Sequence, residues 1–215
     1  MNIKTFEGGY DKNFCYLIWS ENSQETCLVD PSVEIDPIID YLDRQNLFID
    51  KIFITHTHFD HTRYLNDIIS QYPDAEIYAY KNARLDVKLF NGLSHNDEIK
   101  VGGYRIKSLY TPGHYMDSMC YWIHKEKVIF TGDTVFVGRT GRTVSKGSSL
   151  SDLFSSIYNI ILKLPEDTII YPGHNYGTSK TISIKKNTEL SSFFRCKSYN
   201  EFSDVMKNFE KNRKK

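Results

Sequence analysis

The sequence predicts an α/β protein built as a four-layer αββα sandwich, and three observations support this prediction. Strand-like apolar runs alternate with segments whose apolar residues recur at helical spacing. The alternation occurs in both halves of the chain, so each half is expected to supply one sheet with its helices. Four predicted strands end close to a histidine or an aspartate, namely His56, His114, Asp133 and His174. We therefore expect these side chains to meet in one cleft at an edge of the core.

The composition is that of an ordinary soluble globular protein, with 40% hydrophobic and 25% charged residues. Residues 1–215 are expected to form a single domain with a short helical C-terminal tail from about residue 178. Lys+Arg and Asp+Glu both number 27, and this zero net charge argues against a nucleic-acid partner. The sequence has no signal-peptide pattern, no membrane-spanning apolar run and no C-x-x-C pair among its four cysteines. These features predict a cytoplasmic protein with reduced cysteines and no membrane partner.

The first half is predicted to contain four strands and three helices. Residues 13–19 and 26–30 are apolar runs separated by a polar turn, as expected for neighbouring strands. Asp36-Pro37 predicts a helix start, with Asp36 as the N-cap and Pro37 in the first turn. The remaining elements are strands at 51–55 and 76–80 and helices around 65–69 and 83–90.

The second half is predicted to contain four strands and two helices. Residues 104–110 alternate as a half-buried strand, and 120–123 and 128–131 form a hairpin. Ser151 is expected to cap a helix that continues through Leu164, and a strand at 168–171 follows. In the tail, Ser198-x-x-Glu201 is a capping box that predicts a final helix.

The stretch from His56 to His61 contains three histidines and one aspartate, and it directly follows a predicted buried strand. In extended backbone His56 and His58 lie on one side, whereas Asp60 and His61 can be directed at a second ion. Imidazole and carboxylate together suit zinc, iron or manganese. A single histidine is usually an ordinary surface or core residue, but this density of ligands predicts a metal site.

From about residue 14 to 176 the chain resembles the metallo-β-lactamase-fold hydrolases. The resemblance rests on four motifs: His56-x-His58-x-Asp60-His61, Gly113-His114, Gly132-Asp133 and Gly173-His174. It implies two metal ions and seven ligands. One ion would be held by His56, His58 and His114, the other by Asp60, His61 and His174, with Asp133 bridging them.

Within this superfamily the chain is most similar to the glyoxalase II group (hydroxyacylglutathione hydrolases) and to the persulfide dioxygenases. Residues 130–136 resemble the glyoxalase II segment around the bridging aspartate. The resemblance implies that Arg142 and Tyr176 contact the substrate, glutathione in that group. Two features depart from glyoxalase II. Val144 stands where that group has a tyrosine, and the long helical C-terminal domain is reduced to a short tail.

The leading functional hypothesis is hydrolysis of a small-molecule thioester of the hydroxyacylglutathione type. Two divalent ions, zinc first and iron or manganese as alternatives, would share a bridging water and activate it. Asp60 and Asp133 are the predicted catalytic residues, because Asp60 can accept a hydrogen bond from that water and Asp133 joins the two ions. A thiolate leaves readily without a strong general acid. The oligomeric state is not predicted.

Three alternatives stay open. The first is an iron dioxygenase acting on glutathione persulfide, in which His56, His114 and Asp133 would hold a single iron. The second is another hydrolase of the same fold, and the third is an inactive scaffold. The scaffold ranks last because all seven ligand-type residues are present.

Overall fold

The computed structural model describes residues 1–21 and 23–212, and these residues form the expected four-layer αββα sandwich. The first sheet contains β1 (Asn2–Gly8), β2 (Asn13–Ser20), β3 (Ser23–Val29), β4 (Lys51–Phe53), β5 (Glu76–Tyr80) and β6 (Asn91–Leu93), in that spatial order. The first two strand pairings are antiparallel and the other three are parallel. Strand β2 is covered on both faces, which explains why its sequence is continuously apolar.

The second sheet is formed by the following six strands: β7 (Glu98–Val101), β8 (Tyr104–Tyr110), β9 (Met119–Ile123), β10 (Val128–Gly132), β13 (Ile169–Pro172) and β14 (Ile182–Ser183). Its spatial order is β14-β13-β10-β9-β8-β7. Within the described residues, the β10–β13 pairing of this sheet is parallel and its other four pairings are antiparallel. A separate two-stranded ribbon, β11 (Val135–Phe136) and β12 (Arg139–Thr140), follows β10.

Three layers of buried apolar side chains hold the sandwich together. Between the sheets, aromatic residues from both halves pack in one cluster that includes Phe53, Tyr121 and Phe130. Helices α1 (Asp36–Gln45) and α3 (Leu65–Gln71) pack outside the first sheet, and α2 (Phe59–Thr62) is a short turn between them. Helices α4 (Leu150–Ser155), α5 (Ile184–Leu190) and α6 (Tyr199–Asn212) pack outside the second sheet.

Three of the predicted helices differ in the structure. Residues 83–90 are not helical, so that prediction was wrong. Four of their apolar side chains pack partly buried beside the first sheet from an irregular segment, whereas Leu89 is exposed. Asp36 lies in the first turn of α1 and is not its cap. Ser149 caps α4 in place of Ser151, and after residue 155 the chain continues as π and 3₁₀ turns. The buried residues Leu153, Ile157 and Ile161 recur every fourth position, and the wider π turn keeps them on one face.

The start of the chain and the segment after β13 are joined by a set of hydrogen bonds that we call the terminal junction, between residues 7–14 and 173–180. The backbone N–H of Phe14 donates to Gly173 O at 2.8 Å, and that of Asn175 donates to Lys12 O at 2.9 Å. The Asn175 side chain also donates to Glu7 at 2.8 Å, and Lys180 pairs with Glu7 at 2.9 Å. The junction places the start of β2 beside the loop that follows β13.

The four cysteines are free and buried, in agreement with the sequence prediction. Burial raises the pKa of the Cys120 thiol to about 11. Within residues 1–21 and 23–212, no helix is long and apolar enough to cross a membrane.

Candidate metal centre

The segment from His56 to His61 changes from extended to helical backbone. His58 is extended, with φ −63° and ψ 143°, and α2 begins at the next residue. The extended part directs His56 and His58 to one side of the cleft, and the helical turn directs Asp60 and His61 to the other. The structure therefore directs the four ligand-type residues of this stretch to two neighbouring groups.

The first group joins this segment to the loop after β8. Nε2 of His56 lies 3.0 Å from Nδ1 of His58, and Nε2 of His114 lies 3.1 Å from the same His58 atom. Three ring nitrogens thus converge on one small volume. This is the arrangement in which imidazoles bind a zinc or similar ion.

The second group joins α2 to the loop after β13. Nε2 of His61 lies 3.1 Å from Nε2 of His174. Oδ2 of Asp60 lies 3.7 Å from the His61 nitrogen and 3.4 Å from the His174 nitrogen. Two imidazoles and one carboxylate can therefore coordinate a second cation.

Asp133 lies between the two groups at the end of β10. Its Oδ2 is 3.4 Å from Nε2 of His114, and its Oδ1 is 3.2 Å from His61 and 3.3 Å from His174. Among the described residues, Oδ1 is a buried atom with no hydrogen-bond partner. A buried carboxylate oxygen without a donor costs free energy unless a cation satisfies it. The residues present therefore fit a pair of divalent ions with Asp133 as the bridge.

The electrostatics of the first group and of Asp133 favour cation binding. Burial, reinforced by the neighbouring His114, lowers the pKa of His58 to about 4, and burial lowers that of His56 well below its ordinary value. Both imidazoles are neutral at pH 7 and offer a lone pair. Burial alone raises the pKa of Asp133, but the Coulombic interactions with His174 and His61 outweigh it and hold that pKa well below its usual range.

Oxygen atoms behind the histidines orient their rings. Nδ1 of His114 lies 2.8 Å from the carbonyl oxygen of Arg142, and Nδ1 of His174 lies 2.8 Å from that of Asp11. Nδ1 of His61 lies 2.8 Å from Oδ2 of Asp30. Because carbonyl and carboxylate oxygens only accept, each Nδ1 carries a proton, and each Nε2 faces the cleft, where it would offer its lone pair to a bound cation.

Two positioning residues were not identified from the sequence. Asn13, fully buried, donates to Oδ2 of Asp60 at 2.9 Å and so orients that carboxylate. Asp117, also buried, accepts hydrogen bonds from the N–H and hydroxyl of Thr57, which lies between the first two histidines. Neither residue belongs to a ligand motif, and both act through contacts between segments 47 and 60 residues apart.

Asp30 supports both the histidine loop and His61, so its substitution should weaken metal binding. Besides His61, its carboxylate accepts from the N–H of Thr55 at 2.7 Å and the Thr55 hydroxyl at 2.6 Å. We expect Asp30→Asn to lower metal affinity about 10- to 100-fold, the usual effect of losing such a partner. Competition with a chelator measures this change. Unaltered affinity would show that Asp30 only shapes its turn.

Glycines permit the close packing of the ligand loops. Gly132, which precedes Asp133, has φ +47°, and a Cβ there would lie 2.4 Å from Oγ1 of Thr55. At Gly173, which precedes His174, a Cβ would lie 2.4 Å from Oδ1 of Asp133. These contacts explain why glycine stands before the ligand in both motifs.

The two groups open into a cleft of about 400 Å³ that is also lined by Arg142 and Tyr176, the two predicted substrate-binding residues. The Tyr176 ring stacks on His174 with centroids 4.7 Å apart, and its hydroxyl donates to Asp11. The guanidinium of Arg142 pairs with Glu210 of α6 through two hydrogen bonds of 2.7 Å. Sequence reasoning did not anticipate that pairing.

A four-layer αββα sandwich with two histidine- and aspartate-rich groups in one cleft defines the class of metallo-β-lactamase-fold proteins. Residues 8–174 match the sequence model of the metallo-beta-lactamase superfamily, and the chain belongs to that superfamily. The fold and family predicted from the sequence are thereby confirmed.

Three proteins of known sequence or structure are similar to this chain over most of its length. It is 35% identical to the probable polyketide biosynthesis zinc-dependent hydrolase BaeB of Bacillus velezensis, over 86% of this chain and 84% of that protein. It is 32% identical to the hydroxyacylglutathione hydrolase of Francisella philomiragia, over 86% of this chain and 72% of that protein. The structure of ETHE1 from Myxococcus xanthus superimposes with a TM-score of 0.88 at 28% identity, covering 100% of this chain and 93% of that one.

Proposed function

We propose that this protein is a metal-dependent thioesterase that cleaves a thioester of the hydroxyacylglutathione type. The observation that carries the proposal is the position of Asp133 between two complete ligand groups. Two divalent ions bound there, zinc by preference and iron or manganese as alternatives, would supply Lewis acidity and lower the pKa of a water between them. His56, His58 and His114 would hold one ion, Asp60, His61 and His174 the other, and Asp133 both.

The side chains of the cleft have separate roles in orienting the water and binding the substrate. Oδ2 of Asp60 is fixed by Asn13, and we assign to the Asp60 carboxylate the role of accepting a hydrogen bond from the attacking water, which orients it. Tyr176 stacks against His174 and presents an apolar ring to the bound molecule. Arg139 lies over that ring at 4.1 Å and would supply positive charge beside the thiol part of the substrate, whereas Arg142 of the same cleft is paired with Glu210. No strong acid is required, because a thiolate is a good leaving group.

A second function, oxidation of glutathione persulfide at a single iron, is supported by one observation. The similarity to the ETHE1 structure extends over the whole chain, including the short C-terminal tail. His56, His114 and Asp133 would then hold the iron. We rank this function below the hydrolase because the relatives named as hydrolases match most of the chain and the second ligand group is complete. The cytoplasmic location stays a prediction from the sequence.

Metal content and substrate choice test the proposal together. The protein is purified without added metal or chelator, its metals are counted, and it is assayed on a panel of thioesters and for oxygen uptake with glutathione persulfide. About two ions per chain with thioester hydrolysis supports the thioesterase. One iron per chain with oxygen uptake and no thioester hydrolysis supports the dioxygenase instead.

A further inference from the structure

We propose that Glu210 is a specificity-determining residue, which competes with a carboxylate of the bound substrate for the guanidinium of Arg142. This inference rests on the proposed thioesterase function, since it concerns the thiol part of that substrate. Glu210 belongs to no ligand motif, and it lies near the end of α6, 68 residues from its partner.

The geometry of the pair shows that Arg142 is already engaged. Nε of Arg142 donates to Oε1 of Glu210 and Nη2 donates to Oε2, both at 2.7 Å. Two parallel charge-assisted hydrogen bonds are the strongest arrangement that an arginine and a carboxylate form. The Arg142 side chain is 40% exposed and the Glu210 side chain 26% exposed, so solvent moderates the attraction but does not remove it.

The position of the pair connects it to the substrate. Arg142 lines the same cleft as His58, His114 and Asp133. The Arg142 carbonyl oxygen lies 2.8 Å from Nδ1 of His114, so its backbone is adjacent to the first ligand group, and the two hydrogen bonds to Glu210 hold its guanidinium in place. An anionic substrate group that reaches Arg142 must therefore displace Glu210 or lie beside its negative charge.

Both routes weaken the binding of an anion. Displacement breaks the two hydrogen bonds of the pair, and sharing places two carboxylates at one cation, where like charges repel. A substrate whose thiol part is uncharged neither breaks the hydrogen bonds of the pair nor places a second negative charge at Arg142. Glu210 therefore lowers the affinity of the cleft for a thioester that presents a carboxylate at Arg142, relative to one that presents a neutral group such as an amide there.

Binding of uncleavable ligands tests this inference independently of turnover. The metal-loaded full chain is titrated with S-methylglutathione, a thioether, and with its analogue in which both carboxylates are amides. We expect Glu210→Gln to tighten the dissociation constant of S-methylglutathione about 3- to 10-fold, the effect of removing one partly exposed charge. The dissociation constants of the diamide for wild type and for Glu210→Gln should agree within about twofold. Glu210→Ala serves as a second variant.

Two controls separate this effect from changes in net charge or helix packing. Asp204→Asn removes one negative charge from the same helix, where Asp204 pairs with the exposed Lys207, and it should leave both dissociation constants unchanged. In an Arg142→Gln background, Glu210→Gln should no longer tighten S-methylglutathione.

An equal change for both ligands, no change for either, or no binding of S-methylglutathione to either protein overturns the inference. Thioester turnover is scored separately: if wild type hydrolyses no thioester, the proposed function fails, while the comparison of dissociation constants still decides the role of Glu210.

Discussion

The Asp133→Ala variant is expected to lose thioester hydrolysis by at least about 10³-fold, the scale on which loss of preorganised electrostatic stabilisation slows an enzyme. Asp133 is the residue that lies within 3.4 Å of nitrogens from both ligand groups. Its removal takes one negative neighbour from His61 and His174 and one ligand from each metal position. Steady-state rates and metal content, measured on the same preparation, check the prediction.

Two further variants make this result specific. His58→Ala removes a ligand from the first group alone, so we expect it to abolish turnover while metal is retained at the second group. Asp167→Ala removes an exposed aspartate that pairs with Lys127 at the surface. This variant should hydrolyse thioesters at the wild-type rate. Wild-type activity in Asp133→Ala or His58→Ala would refute the assignment of the site.

Removal of metal is expected to lower the melting temperature by roughly 8–16 °C. The ligands come from loops of both sheets, so an ion binds the folded chain far better than the unfolded one. Metal present at a thousand times its dissociation constant stabilises a fold by about 4 kcal/mol. For a chain of this size each kcal/mol corresponds to about 2–4 °C. Thermal melts before chelation, after chelation and after return of metal measure the shift.

The Asp133→Ala variant is the matched control, because a chelator should shift its melting temperature much less than that of wild type. Equal melting temperatures for the chelated and metal-loaded wild type would show that an ion does not stabilise the folded ligand groups. The imidazole and carboxylate clusters would then be held by the surrounding packing alone.

The metal-binding groups could be predicted from the sequence because their residues follow the ends of apolar strands. His56, His114, Asp133 and His174 each stand just beyond such a run, and strand ends meet at one edge of the fold. Local patterns carry this information, so the αββα architecture could be predicted as well.

The supporting contacts could not be predicted in the same way. The pairs Asn13–Asp60 and Arg142–Glu210 join residues far apart in the chain, and no periodicity encodes them. The helix predicted at 83–90 does not form, because tertiary packing partly buries four of the apolar residues of this segment without helical hydrogen bonds. The role of Asp30 likewise follows only from its contacts with Thr55 and His61, which lie 25 and 31 residues further along the chain.

The terminal junction has a consequence for recognising working members of this superfamily among gene sequences. A chain that started at Phe14 would retain all seven ligand-type residues and every motif, and a motif search would score it as intact. It would nevertheless lack the Asp11 carbonyl that orients His174 and the Asn13 amide that orients Asp60. Correct assignment of the start codon therefore matters to such a search in addition to the presence of the histidines.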